Sequence, residues 1–562
     1  MIALARLGSM LAAAVVATIG ISTQQAAPAP AADPYQVLVF SKTAGFRHDS
    51  IPAGIQAIRE LGTANGFTVT ATEDSAVFTT SQLANYKAVV FLSTTGDVLN
   101  ASQQTAMESY INGGGGYAGI HAAADTEYDW PFYGQLVGAW FRSHPAIQQV
   151  TTKVADRAHP ATSHLGQTWV RTDELYNYRT NPRPAVRVLS TLDETTYTGG
   201  DMGDHPITWC HPQGSGRSFY TGFGHTIGSY TEAAFRTQLL GGIRYAAGVA
   251  KADCRAETGY TTTYNGATTG WSQAGTGGFS NSDATLTSTG GTGNLWYSAK
   301  QYGSYSLKLD WRLTGDADSG VFVGFPSSDP VNAGASGYEV NIDASDTADR
   351  TTGAVYGAKG ANIAARDAAL NPPGSWNTYE LLVEGERLRV YLNGALINDF
   401  TNTNPARSLT DGYIGLQNNG TGIAFRNVRV HELGGPAPTQ VEGEAFTSQF
   451  GVQVAGHAAA SGGQTLGYID NGDWAGYSQV STAGRTSFSA RISSGGPGGT
   501  LQVRSGSATG PVLGSVAIPA TGSWDTFQQV STTLAGSTGG TVFLTFSGGT
   551  GSLFDVDYIS LS

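Results

Sequence analysis

The chain has 562 residues, with 31 Lys or Arg against 43 Asp or Glu, a net charge of −12 and only 13% charged residues. Charged residues average about 25% in globular proteins, so this chain is unusually neutral. Its 40% hydrophobic and 10% aromatic content excludes wholesale disorder, and its acidic balance argues against a nucleic-acid partner, because phosphate is repelled. The length implies roughly three or four domains, and 76 glycines suggest many turns and strands, as in extracellular β-rich modules.

At the start of the chain, Arg6 precedes the apolar run Met10 to Ile21, and Ala26, Ala29 and Ala32 follow. Residues 1–32 therefore read as a secretory signal peptide, too short to span a bilayer, with a retained anchor as the alternative. No later stretch approaches the roughly 18 apolar residues of a membrane span, so the mature chain is expected to be secreted and extracellular, without a membrane span. Cys210 and Cys254 are the two cysteines; whether they pair as one disulfide at the end of the first domain is left open.

From Gln36 strand and helix alternate. QVLVF reads as a buried strand, Ser50 and Pro52 open a helix carrying Ile51, Ile55, Ile58 and Leu61, and Asn65-Gly66 stops it. FTVTAT, AVVFLS and YAGIH read as further strands, and Asn100 with Gln103 caps a second helix. This pattern predicts a parallel α/β sheet over residues 33–253. After Cys254 strict alternation takes over. Tyr305, Leu307, Leu309, Trp311 and Leu313 take one face, and Ser306, Lys308, Asp310 and Arg312 the other, as in a half-buried antiparallel strand. Asn393-Gly394 is a hairpin turn signal. Residues 254–433 are expected to form a jelly-roll sandwich, 434–439 a linker and 440–562 a second, smaller sandwich.

Eight of the 10 histidines lie in the first block. His121 ends the strand YAGIH and His48 follows the first strand, and ligands of parallel sheets sit beyond the carboxyl ends of strands. His144, Glu174, Asp204, His205, His211 and His225 are further candidates for acid/base chemistry or metal binding, whereas His159 and His164 read as structural. The strings VLVFSKTAGFRHDSI, GGGGYAGIHAAADTEYDWPFYGQLVGAWFRSHP and GFGHTIGSY resemble the trehalose-utilisation (ThuA-like) family. That resemblance implies a glutamine-amidotransferase-like α/β fold and links to sugar metabolism, including 3-keto sugars. His121 stands where amidotransferases carry their nucleophilic cysteine, which excludes thioester chemistry at this elbow.

In YEVNID, Tyr338, Val340 and Ile342 take the apolar face, and Glu339, Asn341 and Asp343 would line a polar groove. Glu339 and Asp343 would sit about 13 Å apart at roughly 3.3 Å per residue, too far for an ordinary glycosidase carboxylate pair. The strings GYEVNID, PPGSWNTYELLVEGERLRVYLNG and GYIGLQNNGTGIAFRNVRVHEL resemble the 3-keto-disaccharide hydrolase domain family, a concanavalin-like jelly roll. The chemistry implied is removal of the C2 proton beside a C3 ketone and expulsion of the C1 glycosidic oxygen through an enolate. Glu339 and Asp343 match the motif, with Tyr356 and Lys359 as neighbouring donors. Gly324 and Asn419 depart from it, standing where related sequences carry arginine and histidine.

VEGEAF, GYIDNGDWAGY, GSWDTF and FDVDYISL resemble a family 6 carbohydrate-binding module. The resemblance implies Tyr468 and Trp524 as stacking aromatics, Asp555 as a polar contact at a position where an asparagine is usual, and Glu442, Glu444 and Asp557 as ligands of a structural calcium; Trp474 in GDW reads as core packing. The expected partner is an oligo- or polysaccharide. Three readings stay open: a secreted enzyme acting on 3-keto glycosides, a non-catalytic carbohydrate-binding protein, and an enzyme whose chemistry lies only in the His-rich α/β domain.

Overall fold

A computed structural model describes residues 34–410, 412–433, 439–482, 485–535 and 540–562. The expected signal peptide and the Gly434–Pro438 segment lie outside the described residues, and Thr439 already opens the strand Thr439–Glu442. Among the described residues no helix is long and apolar enough to cross a membrane.

The first domain begins with strand β1 (Tyr35–Phe40), helix α1 (Ile51–Asn65), β2 (Phe67–Thr72), β3 (Ala88–Leu92), α2 (Ala101–Asn112) and β4 (Gly116–Ile120). Ile51, Ile58 and Leu61 bury the inner face of α1, as their spacing requires. The Ser50 hydroxyl leaves the helix end uncapped and instead donates to the Gly224 carbonyl at 3.3 Å. Asn100 and Gln103 form a reciprocal cap on α2, with bonds of 2.9 to 3.1 Å. The domain continues through β5 (Gln148–Val154), β6 (Thr168–Asp173), β7 (Arg187–Leu192), β8 (Pro206–Gln213), β9 (Gly216–Thr221) and α3 (Ala233–Ala246).

One nine-stranded sheet carries these strands in the order β2-β1-β3-β4-β9-β8-β7-β5-β6. Only the neighbours within β2, β1, β3, β4 and β9 pair in parallel; β8, β7, β5 and β6 extend the sheet with antiparallel pairings, so that their direction alternates. The expected parallel sheet is thus mixed. The run between α2 and α3 supplies hairpins in place of crossover helices, and a hairpin return reverses strand direction.

Residues 261–432 form two antiparallel sheets of eight and five described strands, and residues 439–561 form a second sandwich of six and five. Asn393 and Gly394 turn between Arg387–Leu392 and Ala395–Thr401 with φ of 48° and 88°, the paired left-handed conformations of a type I′ hairpin. Strand Tyr305–Leu313 departs from its expected half-solvated state, because Ser306, Lys308 and Asp310 are buried as fully as Leu307 and Leu309. Their face packs on the α/β domain rather than on water. Lys308 pairs with Asp253 at 2.9 Å and Glu257 at 3.2 Å, and Arg429 with Glu257 at 2.7 Å and Asp310 at 3.5 Å. Arg187 of β7 pairs with Asp156 at 2.9 Å and also with Glu257. The Cys210–Cys254 disulfide ties β8 to the start of this seam.

Removing one partner of a buried ion pair leaves an uncompensated charge, at a cost of about 3–5 kcal/mol. Glu257→Ala removes the partner that Arg187, Lys308 and Arg429 share and leaves three cations to Asp156, Asp253 and Asp310 alone, so its chemical-denaturation midpoint is expected to fall by an equivalent of that amount. A loss under about 1 kcal/mol, typical of exposed pairs, would contradict the role assigned to this seam.

Candidate active site

In the first domain β1, β4, β9 and β6 all run in one direction, since each antiparallel step from β9 to β6 is reversed by the next. Their carboxyl ends carry His48, His121, His225 and Glu174, so four distant sequence segments meet at one edge. One ligand atom from each lies within 4.8 Å of the others. His121 is fully buried and turns the chain at φ 51°, a left-handed conformation unusual for a residue with a Cβ. The Tyr220 hydroxyl holds its carbonyl at 2.9 Å.

The His121 Nδ1 donates to the Gly222 carbonyl at 2.8 Å, which fixes the proton there and leaves the Nε2 lone pair free. That Nε2 faces His225 Nδ1 at 3.2 Å and Glu174 Oε2 at 3.3 Å, and His225 Nδ1 lies 3.1 Å from the same Glu174 oxygen. The His48 ring stands edge-on to His121 and His225 at 4.9 and 5.0 Å, and its buried Nδ1 has no hydrogen-bond partner among the described residues. Burial, then the nearby His121 and His225, push His48 down to about 3. Burial alone would raise Glu174, but the His121 and His225 rings beside it outweigh burial and hold the carboxyl well below its usual range. The hydrogen bond to Glu174 raises His225. Three imidazoles around one carboxylate, with a carbonyl orienting the most buried ring, form a donor set suited to a divalent transition metal.

Sequence reasoning named all four of these residues, and it missed the groups that hold them. The Asp173 carboxylate accepts the backbone N–H of Gly224 at 2.9 Å and of His225 at 3.1 Å, anchoring the His225 loop, and pairs with buried Arg171 at 2.9 Å. Tyr176 packs its ring 4.3 Å from His121. Phe46, 67% exposed, sets its ring 4.9 Å from His48 and gives the site an apolar rim. His144 reaches the other Glu174 oxygen at 3.1 Å from the exposed side. The remaining candidates lie elsewhere. His205 binds Glu194 at 2.8 Å and the Tyr176 carbonyl at 2.8 Å, His211 donates to the Leu136 carbonyl at 3.0 Å, and Asp204 pairs with Arg183 at 2.5 Å on the surface. His159 and His164 make structural contacts, His159 Nδ1 accepting from Ala161 N at 3.1 Å and His164 donating to the Ala234 carbonyl at 2.9 Å.

In the jelly roll, Glu339 lies on Tyr338–Asp343 with its carboxyl over Gly320, and Gln417 hydrogen-bonds to it. Burial, then Asp318, push it up to about 8. Asn419 donates to Asp318 at 2.6 Å. Asp343, the second expected catalytic carboxylate, accepts the backbone N–H groups of Ser345 and Asp346 at 2.8 Å each and so caps the next turn. Lys359 donates to the Asp399 carbonyl at 2.8 Å, and Tyr356 is exposed. Gly324 sits at a strand irregularity with φ 70°, where a Cβ would stand 2.2 Å from the Ser408 carbonyl oxygen. No arginine fits that backbone.

In the last domain the pairings Leu466↔Val556, Ser493↔Asp555 and Ser494↔Ser523 align the strand ends that bear Tyr468, Asp555 and Trp524. Tyr468 and Trp524 are 57% and 37% exposed, as stacking platforms require. Asp555 is buried beside Gly467, accepts from Thr465 at 3.2 Å and is raised by burial. Trp474, expected in the core, is only half-buried and packs on Phe543 with ring centroids 5.6 Å apart. Glu442 and Glu444 each keep one buried carboxylate oxygen without a hydrogen-bond partner among the described residues, and burial with the neighbouring Glu442 and Asp557 charges raises Glu444. Asp557 accepts from Ser461 N at 2.7 Å and pairs with Arg491.

Three family models match the chain: "Trehalose utilisation" (ThuA) over residues 36–246, "3-keto-alpha-glucoside-1,2-lyase-like domain" over 259–431 and "Carbohydrate binding module (family 6)" over 442–562. Among curated proteins, an endo-1,4-beta-xylanase A of Thermoclostridium stercorarium is 28% identical over 42% of this chain and 34% of its own length. An arabinoxylan arabinofuranohydrolase of Paenibacillus polymyxa is 37% identical over 26% of this chain and 23% of its own. The chain thus spans about a third or less of these relatives. A ThuA-like protein of Bacteroides uniformis, known from its crystal structure, is 23% identical over 39% of this chain and 94% of its own, with a TM-score of 0.35. Along the chain, then, a ThuA domain, a 3-keto-alpha-glucoside-1,2-lyase-like domain and a family 6 carbohydrate-binding module follow one another in that order.

Proposed function

We propose that the protein is an extracellular glycoside-processing enzyme that takes oxidised, 3-keto sugars, with its chemistry at the His48, His121, His225 and Glu174 centre and its C-terminal module holding the polymer. The observation that carries this reading is the meeting of three imidazoles and a carboxylate within 4.8 Å at the strand ends. These four residues would hold a divalent transition metal, which when bound supplies Lewis acidity toward a sugar oxygen. Around it, His121 presents its Nε2 lone pair, Glu174 supplies negative charge, and His144 meets the outer Glu174 oxygen on the solvent side, where it can exchange a proton with water. Phe46 offers a ring face to the C–H side of a sugar. In the module, Tyr468 and Trp524 stack on the glycan, Asp555 borders the cleft, and Glu442, Glu444 and Asp557 would hold a structural calcium through hard oxygens.

A second reading rests on Glu339, whose buried carboxyl beside Gln417 suits a base poised near neutral pH. Ionised, it would take the C2 proton of a 3-keto glycoside; the C2–H electrons form an enolate, and its collapse to a C1–C2 double bond breaks the C1–O bond as the leaving oxygen gains a proton. The turn-capping role of Asp343 and the glycine at Gly324 leave this groove with less to stabilise the enolate than the α/β centre offers.

Purified protein is expected to turn over 3-keto disaccharides in preference to unmodified ones and to lose this with chelator. His121→Ala and His225→Ala should lose the bound transition metal by elemental analysis, while Asp173→Asn should weaken metal binding about 10- to 100-fold. Loss of turnover in Glu339→Ala alone would transfer the chemistry to the jelly roll, and no turnover of either substrate by the wild type would leave only carbohydrate binding.

Glu339 generates a pH test. Its folded carboxyl titrates near 8 against 4.5 unfolded, so the fold favours the neutral form and loses stability as pH rises from 4.5 through 8. Glu339→Gln should therefore melt above wild type at about pH 9 and match it at about pH 4; an equal difference at both would contradict the burial of this carboxyl. For the module, Trp524→Ala is expected to weaken retention on insoluble xylan about tenfold, the effect of losing roughly 1.4 kcal/mol of stacking. Wild-type retention would refute the assigned cleft.

A further inference from the structure

Away from both candidate centres, the seam between the α/β domain and the jelly roll opens into a cleft of about 360 Å³, lined among others by Lys153, Arg157, Gln167, Thr168, Asn265 and Arg426. Its size falls at the lower end of small-molecule sites, roughly 300–1,000 Å³, which occur preferentially between domains. Two of its cations are already neutralised: Lys153 pairs with Asp193 at 2.8 Å, and Arg157 grips Asp283 through that residue's carboxylate and its carbonyl. Arg426 differs. Its Nε donates to the Thr285 hydroxyl at 2.6 Å, its Nη1 to the Arg157 carbonyl at 3.4 Å, and its guanidinium lies 4.1 Å over the Trp376 ring, but it makes no ion pair among the described residues, and the other terminal N–H groups stay available. Arg312 lies over the same indole at 4.9 Å and adds like charge. Burial, then the Arg157 and Arg312 charges, hold Arg426 down to about 10 against the weaker pull of Asp283 and Asp310, neither of which pairs with it directly. Elsewhere in the buried seam, Arg187 and Arg429 each meet a carboxylate. A half-buried guanidinium beside a cleft whose lining carries no carboxylate lacks the direct ion pair that its neighbours have.

The rest of the lining is neutral and rich in hydrogen-bonding groups. Gln167, Thr168, Asn265 and Asn427 bring amides and a hydroxyl to the cleft, the groups that recognise ring hydroxyls, whereas a bare inorganic anion would leave them unused. We propose that this cleft binds an anionic saccharide unit, a hexuronate, with its carboxylate on the Arg426 guanidinium and its ring hydroxyls on the surrounding amides. A planar guanidinium matches a carboxylate in two parallel hydrogen bonds, and a neutral hexose offers nothing to replace them. The site is separate from the Tyr468 and Trp524 cleft and from the histidine centre, so it would select acidic substituents on a glycan already held elsewhere.

Calorimetric titration of the full chain with D-glucuronate, D-glucose and sodium sulfate, at constant ionic strength, tests this. Glucuronate is expected to bind about tenfold or more tightly than either glucose or sulfate. Arg426→Gln should weaken glucuronate about tenfold while retention on insoluble xylan stays at the wild-type level, and Arg426→Lys should retain part of the affinity. Should Arg426→Gln fail to fold, Asn265→Ala, at an exposed position, should still weaken glucuronate severalfold without changing the melting temperature. The proposal is overturned if glucuronate does not bind, if sulfate binds as well as glucuronate, or if the folded variants bind glucuronate like wild type. None of these outcomes depends on turnover at the histidine centre, so failure here and failure of the proposed activity are distinguishable.

Discussion

Charge can be buried between two domains only where each ion meets its opposite, and the first two domains of this protein are joined on that condition. Asp156, Arg187, Glu257, Arg429, Asp310, Lys308 and Asp253 form one continuous chain of ion pairs across the seam. Glu257, from the segment that leaves the α/β domain, sits at its centre with three cations around it. Desolvation opposes such a cluster, and short contacts with mutual charge compensation offset it. The disulfide between Cys210 and Cys254 brings that segment to the sheet in the first place. Because charges must pair in register, the seam fixes how the jelly-roll sheet lies on the α/β domain, and so creates the cleft beside Arg426.

The same logic operates at the histidine centre. Asp173 is fully buried, yet its oxygens receive Arg171, the Ser229 hydroxyl and the amides of Gly224 and His225. Arg171 is in turn enclosed by Trp169, Phe223 and Phe235, with its charge 4.3 to 4.6 Å from their ring centres. This desolvated pair draws the end of β6 onto the loop after β9, although β6 is last in the strand order. Glu174 follows Asp173 directly and is thereby delivered to His121 and His225. A single stitched carboxylate thus assembles a donor set that no continuous stretch of sequence contains.

The α/β, jelly-roll and module architecture was legible from hydrophobic periodicity, turn residues and family resemblance, since burial patterns are local and repeat at short range. The capping pair Asn100 and Gln103 and the turn at Asn393-Gly394 were legible for the same reason. The mixed nature of the nine-stranded sheet was not, because parallel and antiparallel strands carry similar buried runs. The polar face of Tyr305–Leu313 was also misleading: alternation shows that a face is polar but not whether water or another domain's ions cover it. His121 and His48 could be placed from strand ends. Asp173, Tyr176 and Phe46 could not, because an acid beside Glu174 or an aromatic near a loop has no spacing that marks its partner.

By itself, therefore, the sequence determined the order and kind of the domains and the residue types available for chemistry, because these follow from local pattern and composition. Tertiary structure decided which histidines converge, leaving His205 and His211 to hold the scaffold while His48, His121 and His225 share Glu174. It also decided that Gly324 admits no side chain, that Asp343 caps a turn, and that Arg426 faces a cleft without a carboxylate. Each of these outcomes depends on which groups long-range packing brings within hydrogen-bond reach, and electrostatics over a few ångströms responds to that proximity rather than to separation along the chain.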